Sequence, residues 1–159
     1  MIKYIISDFS KVLLFPKDKG YKGKLNELHK NNLKTGDYDF WQQFELNQEL
    51  FDYYKTLSKK YDLFIFTTAY IQDYPPVRKI LDTVFNEIFI AHKMGVKKDD
   101  PKAYLELSEL LNCKTEEVSY IDDTQANVDA SLKSGMNAIL HKANDSTISE
   151  IKKKLVLNS

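Results

Sequence analysis

The sequence predicts a three-layer α/β domain built on a mostly parallel sheet, with a small helical insertion after the first strand. Three observations lead there. Short apolar runs at residues 4–6, 61–66 and 118–121 have the composition of strands buried on both faces. Each run ends in polar residues: Ser7-Asp8, Thr67-Thr68 and Asp122-Asp123. Stretches with apolar residues at helical spacing separate them, as crossovers between parallel strands require. At 159 residues the chain is long enough for one domain with a real core and too short for two full ones.

Taken in order, Tyr4-Ile5-Ile6 is the first strand. Residues 14–37 are rich in Lys, Asn and Gly and read as loop with one short helix over 25–33. From 38 to 60, Phe40, Trp41, Phe44, Leu46, Leu50, Phe51, Tyr54 and Leu57 recur mostly every three or four residues, which predicts one long amphipathic helix or two. Residues 61–66 are β-branched or aromatic at most positions and form the second strand. Pro75-Pro76 opens a helix through Leu81, and 84–90 reads as a third strand. Asp99-Asp100-Pro101 offers an N-cap and then a proline in the first turn of a helix ending near Asn112. Its buried stripe is Tyr104, Leu105, Leu107, Leu110 and Leu111. Residues 118–121 are a fourth strand, 124–134 a helix closed by Gly135, 137–140 a fifth strand and 148–155 a last helix.

Composition excludes several classes. Lys and Arg number 23, as do Asp and Glu, so the net charge is zero and no whole-molecule field draws the chain to nucleic acid or anionic lipid. Neither is an expected partner. No apolar run approaches the ~18 residues of a membrane helix, and the carboxylate at position 8 comes too early for a signal peptide, so a cytoplasmic location is expected. Cys113 is the single cysteine, which excludes an intrachain disulfide or a thiolate zinc cluster, and His29, His92 and His141 are too dispersed to replace one.

Parallel sheets bind ligands at the carboxyl ends of their strands, which here carry Asp8, Thr67, Asp122 and Asp123. Taken singly, Asp8 suits a turn and Asp122-Asp123 a helix cap; their register with Lys98 favours a site. Clustered carboxylates either share protons or are neutralised by a hard cation, and an oxygen-only donor set points to magnesium. Magnesium usually binds through one or two carboxylates plus a substrate phosphate, so a small phosphorylated ligand is expected. Lys98, just before a capped helix, reaches that phosphate as a point charge.

These residues carry a family resemblance. Asp8-Phe9-Ser10-Lys11-Val12-Leu13 follows an apolar strand, and Thr67 ends a second. Lys98 stands in Gly95-Val96-Lys97-Lys98-Asp99-Asp100-Pro101, ahead of Ile121-Asp122-Asp123-Thr124-Gln125-Ala126-Asn127. In order and spacing they resemble the four motifs of the haloacid dehalogenase-like (HAD) hydrolases, whose domain is Rossmann-like. Phe40-Trp41 through Leu46-Asn47-Gln48-Glu49-Leu50 is similar to the helix preceding the second motif in a phosphatase-rich branch. The resemblance implies a helical cap over approximately 14–55 and a magnesium-dependent phosphohydrolase. Asp8 would be the nucleophile that becomes an aspartyl phosphate. Thr67, Thr68 and Ser10 would bind the phosphate, and Lys98 would neutralise charge on the transferring group and on Asp8. Asp8, Asp123, the backbone carbonyl of Ser10 and, through water, Asp122 would hold the magnesium.

Two side chains depart from the family's pattern. Its phosphatases place a second Asp two residues after the nucleophile as general acid/base, and that position is Ser10; the next, usually Gly, is Lys11. General acid/base catalysis is typically worth ~10²–10⁴ in rate, and its loss weighs most on alkyl phosphates. Two functional readings follow. One is a phosphohydrolase using Asp8, and the other a non-catalytic relative that binds a phosphorylated ligand or regulates a partner. Dehalogenases also lack the second Asp but work without magnesium, so the Asp122-Asp123 pair speaks against that chemistry; a phosphonate-cleaving branch needs a Schiff-base lysine that the sequence does not single out. Lys17, Lys19, Lys22 and Lys24 are expected at the mouth of the cap, Asn127 as a structural tie, and Trp41, Phe44 and Phe51 as packing.

Overall fold

The computed structural model describes residues 1–157. Strand β1 (Tyr4–Ser7) is followed by a short antiparallel pair, β2 (Leu14–Pro16) and β3 (Phe44–Leu46), which frames helices α1 (Leu25–Asn32) and α2 (Phe40–Gln43). The chain continues through α3 (Gln48–Leu57), β4 (Asp62–Thr67), α4 (Pro75–Leu81), β5 (Glu87–Ile90), α5 (Ala91–Met94) and α6 (Pro101–Leu110). It ends with β6 (Val118–Asp122), α7 (Gln125–Ser134), β7 (Asn137–Leu140) and α8 (Asn144–Leu157). Five of these strands form one parallel sheet in the order β5-β4-β1-β6-β7.

Alternation along each strand divides the core into two layers. Ile5, Leu63, Ile65, Ile121 and Ile139 point to one side, where Phe51, Tyr54, Leu81 and Ile151 of α3, α4 and α8 cover them. Ile6, Phe64, Phe66, Val118 and Tyr120 point to the other, under Ala103, Tyr104, Leu107 and Ala130 of α6 and α7. A sheet covered on both faces needs apolar residues at nearly every strand position, which is why its strands read as runs and not as alternations. The chain leaves β1 toward β4 and β5 on one side and later fills the other side with β6 and β7. Such a reversal opens a crevice at the carboxyl ends of the strands where it occurs. Ser7 pairs with Ile65 on one side and Ile121 on the other, so Asp8 emerges at the centre of that edge.

Two boundaries need correction. Of the two readings of the helical pattern over 38–60, the structure has the one with two helices, α2 and α3, with β3 between them, and Asn47 caps the second by accepting from Leu50 N. Leu50, Phe51 and Tyr54 of α3 pack in the same core cluster as Ile5, Leu63 and Ile65 of the sheet and as Leu25, Phe40 and Phe44 of the insertion. The strand expected over 84–90 begins only at Glu87, because Val84 N and Phe85 N bond back to Leu81 O and finish the turn after α4. The last helix starts at Asn144, four residues before its first apolar residue, Ile148. The pair β2–β3 had no expectation: three residues each are too short to show a period. No helix among the described residues is long and apolar enough to cross a membrane.

Gly135 ends α7 at φ +96, and a Cβ there would stand 2.8 Å from Thr115 Oγ1. Gly135→Ala is therefore expected to lower stability by about 1–2 kcal/mol, the cost of a left-handed non-glycine residue. A shifted urea midpoint at unchanged m-value checks this.

Candidate active site

Asp8 follows β1 directly, and its position is fixed from both directions. Its N–H donates to Ile121 O at 2.8 Å, while its carbonyl accepts from Ser7 Oγ at 2.8 Å. Ser7 Oγ in turn accepts from the buried Tyr54 hydroxyl at 3.1 Å. Lys98 comes from the loop before α6. Tyr104 of that helix donates to the Lys98 carbonyl at 2.7 Å, and Asp100 caps the helix by accepting from Lys102 N. The Lys98 ammonium lies 2.8 Å from both Asp8 Oδ1 and Asp122 Oδ2, with less than a tenth of its surface exposed. The rings of Phe66 and Tyr120 approach it at 5.5 and 5.9 Å.

Asp122, at the end of β6, is fully buried, and donors surround it. Oδ1 accepts from Thr124 N at 2.8 Å and Oδ2 from the Tyr120 hydroxyl, while Asn127 Nδ2 lies 3.2 and 3.1 Å from the two oxygens. Both oxygens are therefore engaged within the protein. Asp123 is only half-buried and opens into the cleft. Carboxylate oxygens of Asp8, Asp122 and Asp123 lie within 4.8 Å of one another. The backbone carbonyl of Ser10 accepts no hydrogen bond among the described residues. This is an all-oxygen donor set, the kind that fits a hard divalent cation.

Electrostatics follow from burial. Desolvation raises the Asp8 carboxyl to about 7, against the pull of the Lys98 ammonium and with a push from Asp122. Burial works to lower Lys98, but Asp8 and Asp122 outweigh it and the ammonium is held above its ordinary range. Asp123 is also raised, by burial first and Asp122 second, with Lys98 and Lys11 pulling the other way.

These groups open into a cleft of about 490 Å³ lined by Asp8, Ser10, Thr67, Thr68, Lys98 and Asp123, together with Lys11, Lys24, His92 and Asn127. The structure thus gathers at one edge the residues singled out from the sequence. Thr67 is buried at the end of β4, and Thr68 is exposed beside it, its carbonyl accepting from His92 N at 3.2 Å. The Ser10 hydroxyl is enclosed without a partner. Of the four lysines expected at the mouth, only Lys24 lines the cleft, and Lys19 pairs with Glu45 instead. Sequence reasoning missed Tyr120, His92 and Asn26. Asn26 Oδ1 accepts from Tyr70 N and Ile71 N at 3.0 and 2.9 Å, which ties α1 to the loop after β4. Only the strand-end position of Asp122, two residues on, hinted that Tyr120 shares its face. Asn127 is a tie, as expected, but to Asp122 itself.

Residues 15–141 match the model of the haloacid dehalogenase-like hydrolase family, and the chain belongs to that family. The matched segment begins after Asp8 and Ser10, so it does not speak to the first motif. A search of curated proteins finds no match. Among solved structures, a predicted HAD-like family hydrolase from Porphyromonas gingivalis is similar at TM-score 0.70 and 23% identity, with 98% of each chain covered. A 2-haloacid dehalogenase from Pseudomonas syringae pv. tomato gives 0.69 at 16% identity over the whole of both chains. The wild-type HAD family enzyme from Bacteroides thetaiotaomicron, crystallised with magnesium and inorganic phosphate, gives 0.67 at 14% identity over 91% of this chain and 96% of its own.

Removing the shared cation strands two buried carboxylates. Lys98→Met is expected to cost about 3–5 kcal/mol in cation-free buffer, read from urea unfolding. A second expectation concerns pH. With Asp8 raised from 3.8 to about 7, the folded chain holds a proton over that window which the unfolded chain has released. The Asp8 contribution to stability without divalent cation is therefore expected to fall as pH rises from about 4 to 7, and Asp123 acts in the same direction, while His29 and His141, lowered by burial, act in the opposite one. The raised Lys98 acts only above 10.5 and leaves this window untouched. Unfolding midpoints of wild type and Asp8→Asn, taken in chelator from pH 4.5 to 8, check it: the difference between them is expected to change across the window.

Proposed function

We propose that the chain is a magnesium-dependent phosphohydrolase that transfers the phosphoryl group of a small phosphorylated substrate to Asp8 and then to water. The observation that carries this is the single Lys98 ammonium at 2.8 Å from both Asp8 and Asp122, at the floor of a cleft that Asp123 and Thr67 also line. Family membership as a hydrolase supports the reading, as does the relative crystallised with magnesium and phosphate.

Each residue has a part that its position suits. Lys98 holds Asp8 Oδ1, while Oδ2 has no partner among the described residues and is the oxygen left for attack. Lys98 also balances charge on the phosphoryl oxygens as they approach. Thr67 and Thr68 line the cleft at the next strand end, whereas the Ser10 hydroxyl is enclosed behind its wall. Asp122, saturated with internal donors, acts as a positioning residue for Lys98 more than as a ligand. Asp8, Asp123 and the Ser10 carbonyl would hold the cation. Bound there, magnesium supplies charge neutralisation for the carboxylates and for the substrate phosphate.

One observation favours the non-catalytic reading. The Ser10 hydroxyl has no partner and is no proton donor near neutral pH, so leaving groups must depart without general acid help from that position. Hydrolysis of an aryl phosphate, which needs little protonation, separates the two readings. A phosphohydrolase turns it over with magnesium, loses the activity by about 10³-fold or more in Asp8→Asn, and gains on alkyl phosphates in Ser10→Asp. A folded wild type no faster than Asp8→Asn would leave a binding protein.

A further inference from the structure

Among the described residues only Lys11 and Asn112 adopt positive φ without being glycine, and Lys11, at φ 62, lines the cleft. The turn that forces this is tight. Lys11 N donates to Leu14 O at 2.8 Å, and Leu13 N and Leu14 N return to Phe9 O at 2.9 and 3.0 Å. A left-handed lysine is strained relative to a right-handed one, and strained residues cluster at functional sites. The side chain is half-buried, and its charge is felt at Asp123.

A second cation faces the same space. Lys24 precedes α1, whose place over the cleft is set by the Asn26 tie to Tyr70 N and Ile71 N. Neither Lys11 nor Lys24 forms an ion pair with any described residue. Asp8 and Lys98 are buried at the floor of the cleft, whereas Lys24, Glu27 and His92 are exposed at its mouth. In an in-line displacement the leaving group departs on the side away from the nucleophile, here toward that mouth. Among the described residues Glu27 is the only carboxylate there beyond those of the candidate cation site.

We infer that the cleft takes a phosphoryl compound whose leaving group is itself an anion, a phosphate or a carboxylate, gripped by Lys11 and Lys24. The inference rests on the phosphohydrolase reading for the departure of that group, and on the two lysines for the grip. It also removes the need for a general acid at position 10, because such a group departs as a stable anion and needs no proton. In the first step the Asp8 carboxylate forms a bond to phosphorus as the bond to the bridging oxygen breaks, and the electron pair leaves on the phosphate or carboxylate. In the second, water attacks phosphorus, Asp8 is released as carboxylate, and both water protons remain on the dihydrogen phosphate formed. Atoms and charges balance without a protein acid.

Binding of methylenediphosphonate and methylphosphonate in the presence of magnesium tests the grip without turnover. Wild type is expected to prefer the diphosphonate by about tenfold or more, a charge-assisted contact's worth. Lys11→Gly suits the left-handed turn and is expected to lose most of that preference, Lys24→Gln part of it, and Lys11→Arg little. Equal affinities in wild type, or a preference that survives Lys11→Gly, would overturn the inference. The ratio of kcat/KM for acetyl phosphate and for pyrophosphate to that for an aryl phosphate then says which anion is held. Whichever ratio is high is expected to fall about tenfold in Lys11→Gly. Aryl turnover with neither ratio raised and no Lys11-dependent preference sinks the inference and leaves the hydrolase standing. Lys11-dependent diphosphonate binding without any turnover keeps the grip and sinks the hydrolase.

Discussion

One buried ammonium decides how this edge of the sheet can exist. Three carboxylates with oxygens within 4.8 Å of one another repel, and burial strengthens the repulsion. Lys98 at 2.8 Å from two of them converts a repulsive cluster into a held one. A buried charge network of this kind is stable only when every member is satisfied. The surroundings meet that condition: Tyr120, Thr124 N and Asn127 complete Asp122, Phe66 and Tyr120 lie against the ammonium, and Tyr104 holds its backbone. Asp123 and one oxygen of Asp8 are left open to the cleft, which is where a cation and a phosphoryl group are proposed to bind.

The sheet makes this possible by its topology. Asp8 continues the central strand at the point where strand order reverses, and Asp122 ends its neighbour, so rigid elements place the two carboxylates before any loop contributes. Loops and the insertion then add the remaining groups. The loop before α6 brings Lys98, the left-handed turn after β1 brings Lys11, and α1 brings Lys24 on a helix tied down through Asn26. In the proposed roles the strand ends carry the nucleophile and its neighbour Asp122, while the connections bring both Lys98, which serves the phosphoryl group, and the two recognition lysines.

The strand ends were legible in the sequence because a run buried on both faces stands out and a carboxylate at its end has few reasons to be there. The motif order around Asp8, Thr67, Lys98 and Asp122-Asp123 pointed to one edge, and the structure brings these residues together. Legibility failed where local pattern and tertiary context disagree. Phe44 and Leu46 continue the helical spacing of Phe40 and Leu50, yet pairing with β2 pulls them into a strand. Alternation puts Tyr120 on the same face of β6 as Asp122 and Ser119 on the other, but nothing in the local pattern says that the tyrosine hydroxyl donates to the carboxylate. The positive φ of Lys11 could not be read from the residue itself, since lysine ordinarily avoids it.

The central claim is that Asp8 accepts the phosphoryl group. Quenching the protein in acid during turnover of acetyl phosphate or an aryl phosphate, reducing it with borohydride and sequencing the peptides by mass spectrometry tests that claim directly. The account predicts magnesium-dependent conversion of the residue at position 8 to homoserine, the product of reducing an aspartyl phosphate. Turnover with residue 8 unmodified and another residue labelled, or with no label at all, would contradict it.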